Sequence, residues 1–113
     1  MAGTIKRTFG PVALSVTLTT NVYNQSSALI YDVLTHIAIV NKTAGAVTFS
    51  LYLGGTGANA AGTEVIGTAK NVAANDTYHW YGRLKMVSTD FLVGGASAGT
   101  SLTIQAEGEQ FVV

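Results

Sequence analysis

The stretch AVTFSLYL, residues 46–53, alternates with a period of two. Val47, Phe49, Leu51 and Leu53 fall on one side; Thr48, Ser50 and Tyr52 fall on the other. Successive side chains of a strand point to opposite faces, so this period predicts a half-buried strand. VALSVTLT, residues 12–19, repeats the pattern, with Val12, Leu14, Val16 and Leu18 on one face. No window of helical length sustains a period near 3.6, and turn signals recur every 8 to 15 residues.

Further strands are expected at 27–33, at 33–41 (apolar on both sides, hence central), weakly at 64–73, at 77–84, at 85–93, and at 101–108 with EQFVV after it. NKTAG, 41–45, reads as a hairpin loop and AAND, 73–76, as a turn. The fold class is therefore all-β: an antiparallel β-sandwich or jelly roll of about eight strands. The expected core is Val12, Leu14, Val16, Leu18, Ile37, Ile39, Val47, Phe49, Leu51, Leu102 and Ile104. Residues 1–11 carry Gly3, Gly10 and Pro11 without alternation, which predicts a flexible N-terminal arm ahead of a single domain at 12–113.

LGGTGANAAGTE, residues 53–64, carries two nucleotide-binding patterns in outline. Gly55-x-Gly57-x-x-Ala60 is a form of the dinucleotide fingerprint, and Gly57 to Gly62-Thr63 is a phosphate-binding loop without its lysine. The fingerprint works only between a parallel strand and a helix N-terminus. Thr63-Glu64-Val65-Ile66-Gly67 starts no helix, so the stretch reads as a loop between antiparallel strands. GGASAGT, 94–100, echoes it with similar small residues.

Composition narrows the function. Charged residues are 11% of the 113, and six basic residues balance six acidic ones. Such a surface offers no cationic excess for nucleic acid and little protection against self-association. A homo-oligomer, dimer or trimer, is expected, helped by the apolar QFVV end. No run approaches the roughly 20 apolar residues of a membrane span, and no signal peptide is expected from MAGTIKRTFG. With no cysteine, disulfides and thiolate metal sites are excluded. The sequons at Asn24, Asn41 and Asn75 read as turn chemistry.

YHWYGR, 78–83, groups aromatic residues with His79 and Arg83. On a strand, Tyr78, Trp80 and Gly82 face one way, and His79, Tyr81 and Arg83 the other. Trp80 reads as core; Tyr81 and Arg83 read as interface residues, or as a sugar-stacking platform. His36, within an apolar strand, reads as a hydrogen-bonded histidine rather than a metal ligand. The six acids fall mostly in turns, and no G-x-S-x-G occurs. No catalytic, metal or cofactor site is expected, and the chain is expected not to be an enzyme.

The segments LTHIAIVNKTAGAVTFSLYLGGTG and AKNVAANDTYHWYGRLKMVSTDFLVGGASAGTSLTIQAEGE bring these elements together. Over residues 28–108 they resemble small β-sandwich proteins encoded among the virion genes of tailed bacteriophages. The shared elements are the I-x-I-x-N-x-T strand and turn, V-T-F-x-L-Y-L-G, N-V-A-A-N-D-T, D-F-L-x-G-x-A-S and L-T-I-x-x-E-G. The resemblance implies a capsid decoration or cement protein in the virion, made in the host cytoplasm, whose partner is a major capsid or other virion protein. A tail, fibre or neck component and a carbohydrate-binding module are the alternatives. The expected contact residues are Lys6, Arg7 and Phe9 of the arm (Phe9 as apolar anchor), Gly55, Gly57 and Asn59 of the first small-residue loop, Gly95 of the second, and Tyr81 and Arg83.

Overall fold

The computed structural model describes residues 3–112. Eight strands follow one another: β1 (Thr4–Ala13), β2 (Asn21–Asn24), β3 (Ile30–Asn41), β4 (Val47–Gly54), β5 (Glu64–Val72), β6 (Thr77–Met86), β7 (Phe91–Ala96) and β8 (Leu102–Val112). They form two four-stranded antiparallel sheets, ordered β1-β8-β3-β6 and β2-β7-β4-β5. The pairs β1–β8, β2–β7, β3–β6 and β4–β5 nest inside one another, as in a long hairpin whose tip is the β4–β5 connection. Rolling that hairpin up adds the pairs β3–β8 and β4–β7. This is the jelly-roll solution, in which two sheets bury one shared core.

The core follows the alternation of the inner strands. Phe49 and Leu51 of β4 meet Ile37 and Ile39 of β3 and Leu102 and Ile104 of β8, all essentially buried. β3 reads apolar on both sides because its phase changes part way along. Asp32 and Leu34 point inward, the register slips at Thr35, and Ile37, Ile39 and Asn41 then take the inner face. A β-bulge does this, because one extra residue inverts every later side chain. Gly108 lies opposite Leu34 at this irregularity, where an added Cβ would stand 2.0 Å from the Val33 carbonyl oxygen. Only a residue without a side chain lets the two backbones come so close.

Three expectations are corrected. Residues 4–11 are not a free arm: they belong to β1, an edge strand paired with β8 from Thr4↔Gln110 to Ala13↔Thr103. Met1 and Ala2 of that arm, and Val113 of QFVV, lie outside the described residues. β1 carries two register irregularities, which is why its sequence does not alternate. The alternating stretch 12–19 is not a strand of its own. Leu14 alone is buried there, while Val12, Val16 and Leu18 are 45%, 59% and 38% exposed. The chain crosses from one sheet to the other at this point, with Leu14 N–H bonded to Leu102 O and Ser15 O accepting from Ala96 N–H. Residues 85–93 likewise divide at a turn, where Asp90 accepts from Val87 N–H (2.9 Å). That division puts Met86 and Leu92 in the core by separate strands.

Asn41 and Asp32 are the polar groups that the fold encloses most fully, each 1% exposed. Asn41 joins the β3–β4 turn to β5 by donating to Gly45 O (2.9 Å) and Val72 O (3.0 Å) and accepting from Thr43 N–H (2.9 Å). Its sequon is therefore turn chemistry, since both amide hydrogens and the amide oxygen are engaged within the fold. Asp32 accepts from the Tyr23 hydroxyl (2.5 Å), Gln25 Nε2 (3.1 Å) and Gln110 Nε2 (3.3 Å), which ties β2 of one sheet to β3 and β8 of the other.

Burial, then the hydrogen bond to Asp32 and its charge, push the Tyr23 hydroxyl well above its ordinary pKa near 10. The folded state holds this proton more tightly than the unfolded chain does. Its stabilisation is complete below about pH 10 and is lost as pH rises beyond that. Tyr23→Phe should therefore cost about 1.5–3 kcal/mol at neutral pH, the value of a hydrogen bond to a charged group. In urea melts from pH 7 to 11 the deficit of the variant should shrink at the alkaline end. A deficit that stays constant would mean that the hydroxyl proton is not held in this way.

Candidate functional site

β3, β6 and β8 turn the same register rows to solvent on the outer face of the β1-β8-β3-β6 sheet. One row is Lys85–Val33–Glu109 and another is Tyr81–His36–Glu107. Ile5 and Arg7 of β1 extend the rows opposite Glu109 and Glu107. Tyr81 is 71% and Ile5 79% exposed, whereas Val33 and Ala38 between the strands are buried by their neighbours.

Planar groups stack across the strands of this face. The Tyr81 ring lies on His36, centroids 4.7 Å apart and 14° from parallel. Tyr31 and Phe111 stack at 4.9 Å and 10°. Lys85 Nζ sits 4.6 Å from the Tyr31 centroid, a cation–π distance. Tyr31, Val33, Arg83, Lys85 and Phe111 line an open depression of about 430 Å³.

The two histidines form a chain with one carboxylate. His36 Nδ1 lies 2.8 Å from Glu107 Oε1, and His36 Nε2 lies 2.9 Å from His79 Nδ1. Glu107 can only accept, so His36 donates from Nδ1. With both imidazoles neutral, His79 donates from Nδ1 to His36 Nε2. Long-range 1H–15N NMR should find neutral His36 protonated at Nδ1, with Nε2 accepting from His79 Nδ1–H. A neutral His36 protonated at Nε2 instead would contradict this arrangement. Both nitrogens of His36 are thus engaged in hydrogen bonds, and among the described residues no three His, Asp or Glu side chains group as metal ligands.

The structure brings some of the expected contact residues together and separates others. Arg7, Tyr81 and Arg83 share the outer face; Tyr81 and Arg83 point away from Trp80, which packs against the core. Lys6 is exposed on the same edge strand, opposite Gly108, with its side chain in the other phase from Arg7. Phe9 is not a free anchor: β1 changes phase before it, so it sits opposite Ala106, packs on the core and stacks on Tyr23 at 4.9 Å. Gly95 is not part of an exposed loop. It lies buried in β7, where an added Cβ would be 2.3 Å from Ser15 O of its own chain.

Gly55, Gly57 and Asn59 lie in the β4–β5 loop, with Gly55 and Asn59 exposed. Asn21 holds this loop through Gly57 N–H (2.8 Å) and Thr56 Oγ1 (3.0 Å). β4 and β5 are antiparallel neighbours and no helix follows the glycines, so nothing here builds a nucleotide cradle. The other small-residue loop, 97–101, leaves β7 beside Phe49, whereas the β4–β5 loop leaves β4 beside Phe91. The two similar loops therefore sit at opposite ends of the sandwich.

Sequence reading missed Tyr31, Phe111, Lys85, Glu107 and Glu109 as members of the face. Their only signal is cross-strand register, which one chain read linearly does not contain.

The class this architecture defines is the eight-stranded antiparallel jelly roll. No family model matches the chain, and no curated protein does. Two solved structures of infectious bursal disease virus, Gx and Gt strains, are similar over 97% and 96% of this chain, at 10% and 13% identity and TM-scores of 0.32 and 0.34. This chain spans 26% and 28% of those chains, about a quarter of their length.

Proposed function

We propose that the chain is a structural assembly protein: a capsid decoration or cement subunit that binds a phage shell and stabilises it, without catalytic activity. The observation that carries the reading is the outer face of the β1-β8-β3-β6 sheet. It is broad and open, and it is built of Tyr, Arg, Phe and charged side chains around small buried ones, a mixture typical of protein contacts. Its histidines are engaged with each other and with Glu107. The fold itself serves many functions, so it adds only that such jelly rolls occur in capsid domains among others. The resemblance to virion proteins over residues 28–108 supplies the setting. Loops such as the one carrying Gly55, Gly57 and Asn59 are available for contact with the shell.

Electron microscopy of purified particles tests this reading. Density for the jelly roll on the outside of the shell is the expected result. Density at the neck, tail or fibre would move the assignment to those parts of the virion. Its absence from the particles would overturn the reading.

One feature favours a second reading, a carbohydrate-binding module. Tyr81 is 71% exposed and rests on His36, so it offers a flat aromatic surface on which a sugar ring could stack. A glycan that binds the folded state should raise the melting temperature with its concentration. A melting temperature indifferent to glycans removes this alternative.

A further inference from the structure

Across β6, β3 and β8 the outer face of the β1-β8-β3-β6 sheet is divided by charge, while Arg7 of the edge strand β1 lies beyond Glu107. Arg83 and Lys85 stand on β6 at one side, and Glu107 and Glu109 on β8 at the other, with β3 between. Among the described residues the one ion pair is His36–Glu107, so Arg83, Lys85 and Glu109 are in no ion pair among them. The division follows the register: Lys85 and Glu109 are both opposite Val33, one on each side of it.

A two-fold axis lying in the plane of the face and along β3 exchanges the two sides at constant height. Lys85 of one copy then meets Glu109 of the other, twice, because the contact is isologous. Arg83 is brought toward Glu107 in the same way. At the axis the β3 residues on this face are Tyr31, Val33, His36 and Ala38, with Tyr81 stacked on His36 beside them. An axis across the strands would instead set β6 on β6 and β8 on β8, placing like charges together. About this axis β8, β3 and β6 of one copy lie on β6, β3 and β8 of the other. Three strands about 4.8 Å apart and about ten residues long cover about 480 Å² per copy, or about 950 Å² in total, the size of a weak, reversible interface.

We propose that the chain dimerises through this face, sheet against sheet, about a two-fold along β3, with reciprocal Lys85–Glu109 pairs setting the register. An acidic surface of another protein would match Arg83 and Lys85 but leave Glu107 and Glu109 facing carboxylates. A second copy satisfies both sides. This deepens the assembly reading, on which it rests, by assigning the face to self-association and leaving the loops for the shell.

Charge exchange tests the pairing. Sedimentation equilibrium of the full chain at about 100 micromolar should give twice the 11.7 kDa monomer mass. Lys85→Glu and Glu109→Lys should each weaken the dimer at least about tenfold, because each sets like charges against each other. The combined K85E/E109K chain should recover affinity to within about threefold of the original, since each new Glu meets a new Lys. Circular dichroism checks that all three variants keep the strand spectrum; both sites are surface positions. A monomer at about 100 micromolar, a trimer, single variants as tight as the original, or a double variant as weak as the singles would each overturn the proposal. Those results leave the shell reading standing, because a monomer can still decorate a particle through its loops. Absence from particles would leave the dimer standing.

Discussion

Phe49→Ala should lower the stability of the protein by about 3–5 kcal/mol, the cost of emptying a ring-sized site in a closed core. Phe49 is 1% exposed on the central strand β4 and faces Tyr78 with ring centroids 5.4 Å apart. Its ring also lies 3.2 Å from where a Cβ on Gly67 would stand, so β5 is packed close against it. The cavity cannot collapse easily, because sheets on both sides are held by backbone ladders. A domain of this size has about 5–15 kcal/mol of stability in all, so this one change removes a large share of it. The check is a urea melt: the midpoint should fall with little change in slope. A loss under about 1 kcal/mol would mean that the ring is not enclosed.

Asn41→Ala should cost about 3 kcal/mol or more. The substitution removes the amide partner of Val72 O inside the fold and of Thr43 N–H in the part-buried turn, at about 1–3 kcal/mol for each group. Asn41→Asp should be worse at neutral pH despite its shape, since a carboxylate would face the Gly45 and Val72 carbonyl oxygens that now accept from Nδ2. Urea melts of both variants decide this. An Asp variant as stable as the original would show that the amide donors contribute nothing.

The candidate face was legible only in part. The alternation of YHWYGR separates Tyr81 and Arg83 from Trp80, because both sides of that contrast lie on one strand. Their neighbours come from residues 5–7, 31–36 and 105–111, and no local pattern indicates that these meet. The flexible-arm reading of residues 1–11 failed for a related reason. An edge strand is held by the backbone of its neighbour β8, and bulges erased the alternation that would have announced it.

The period-two pattern of residues 46–53, the lack of helical periodicity and the turn residues determined by themselves that this chain is an all-β sandwich with Phe49, Leu51, Ile37, Ile39, Leu102 and Ile104 inside. These are local consequences of side-chain direction and hydrophobic burial, and each can be read from a few adjacent residues. The tertiary structure alone decided the jelly-roll strand order, the inward turn of Phe9, the burial of Asp32 beneath Tyr23 and the Lys85–Val33–Glu109 row. Each of these depends on which strands pair and in what register. That choice is made by the summed packing of all eight strands, with bulges resetting the phase along the way, and no single stretch of sequence carries it.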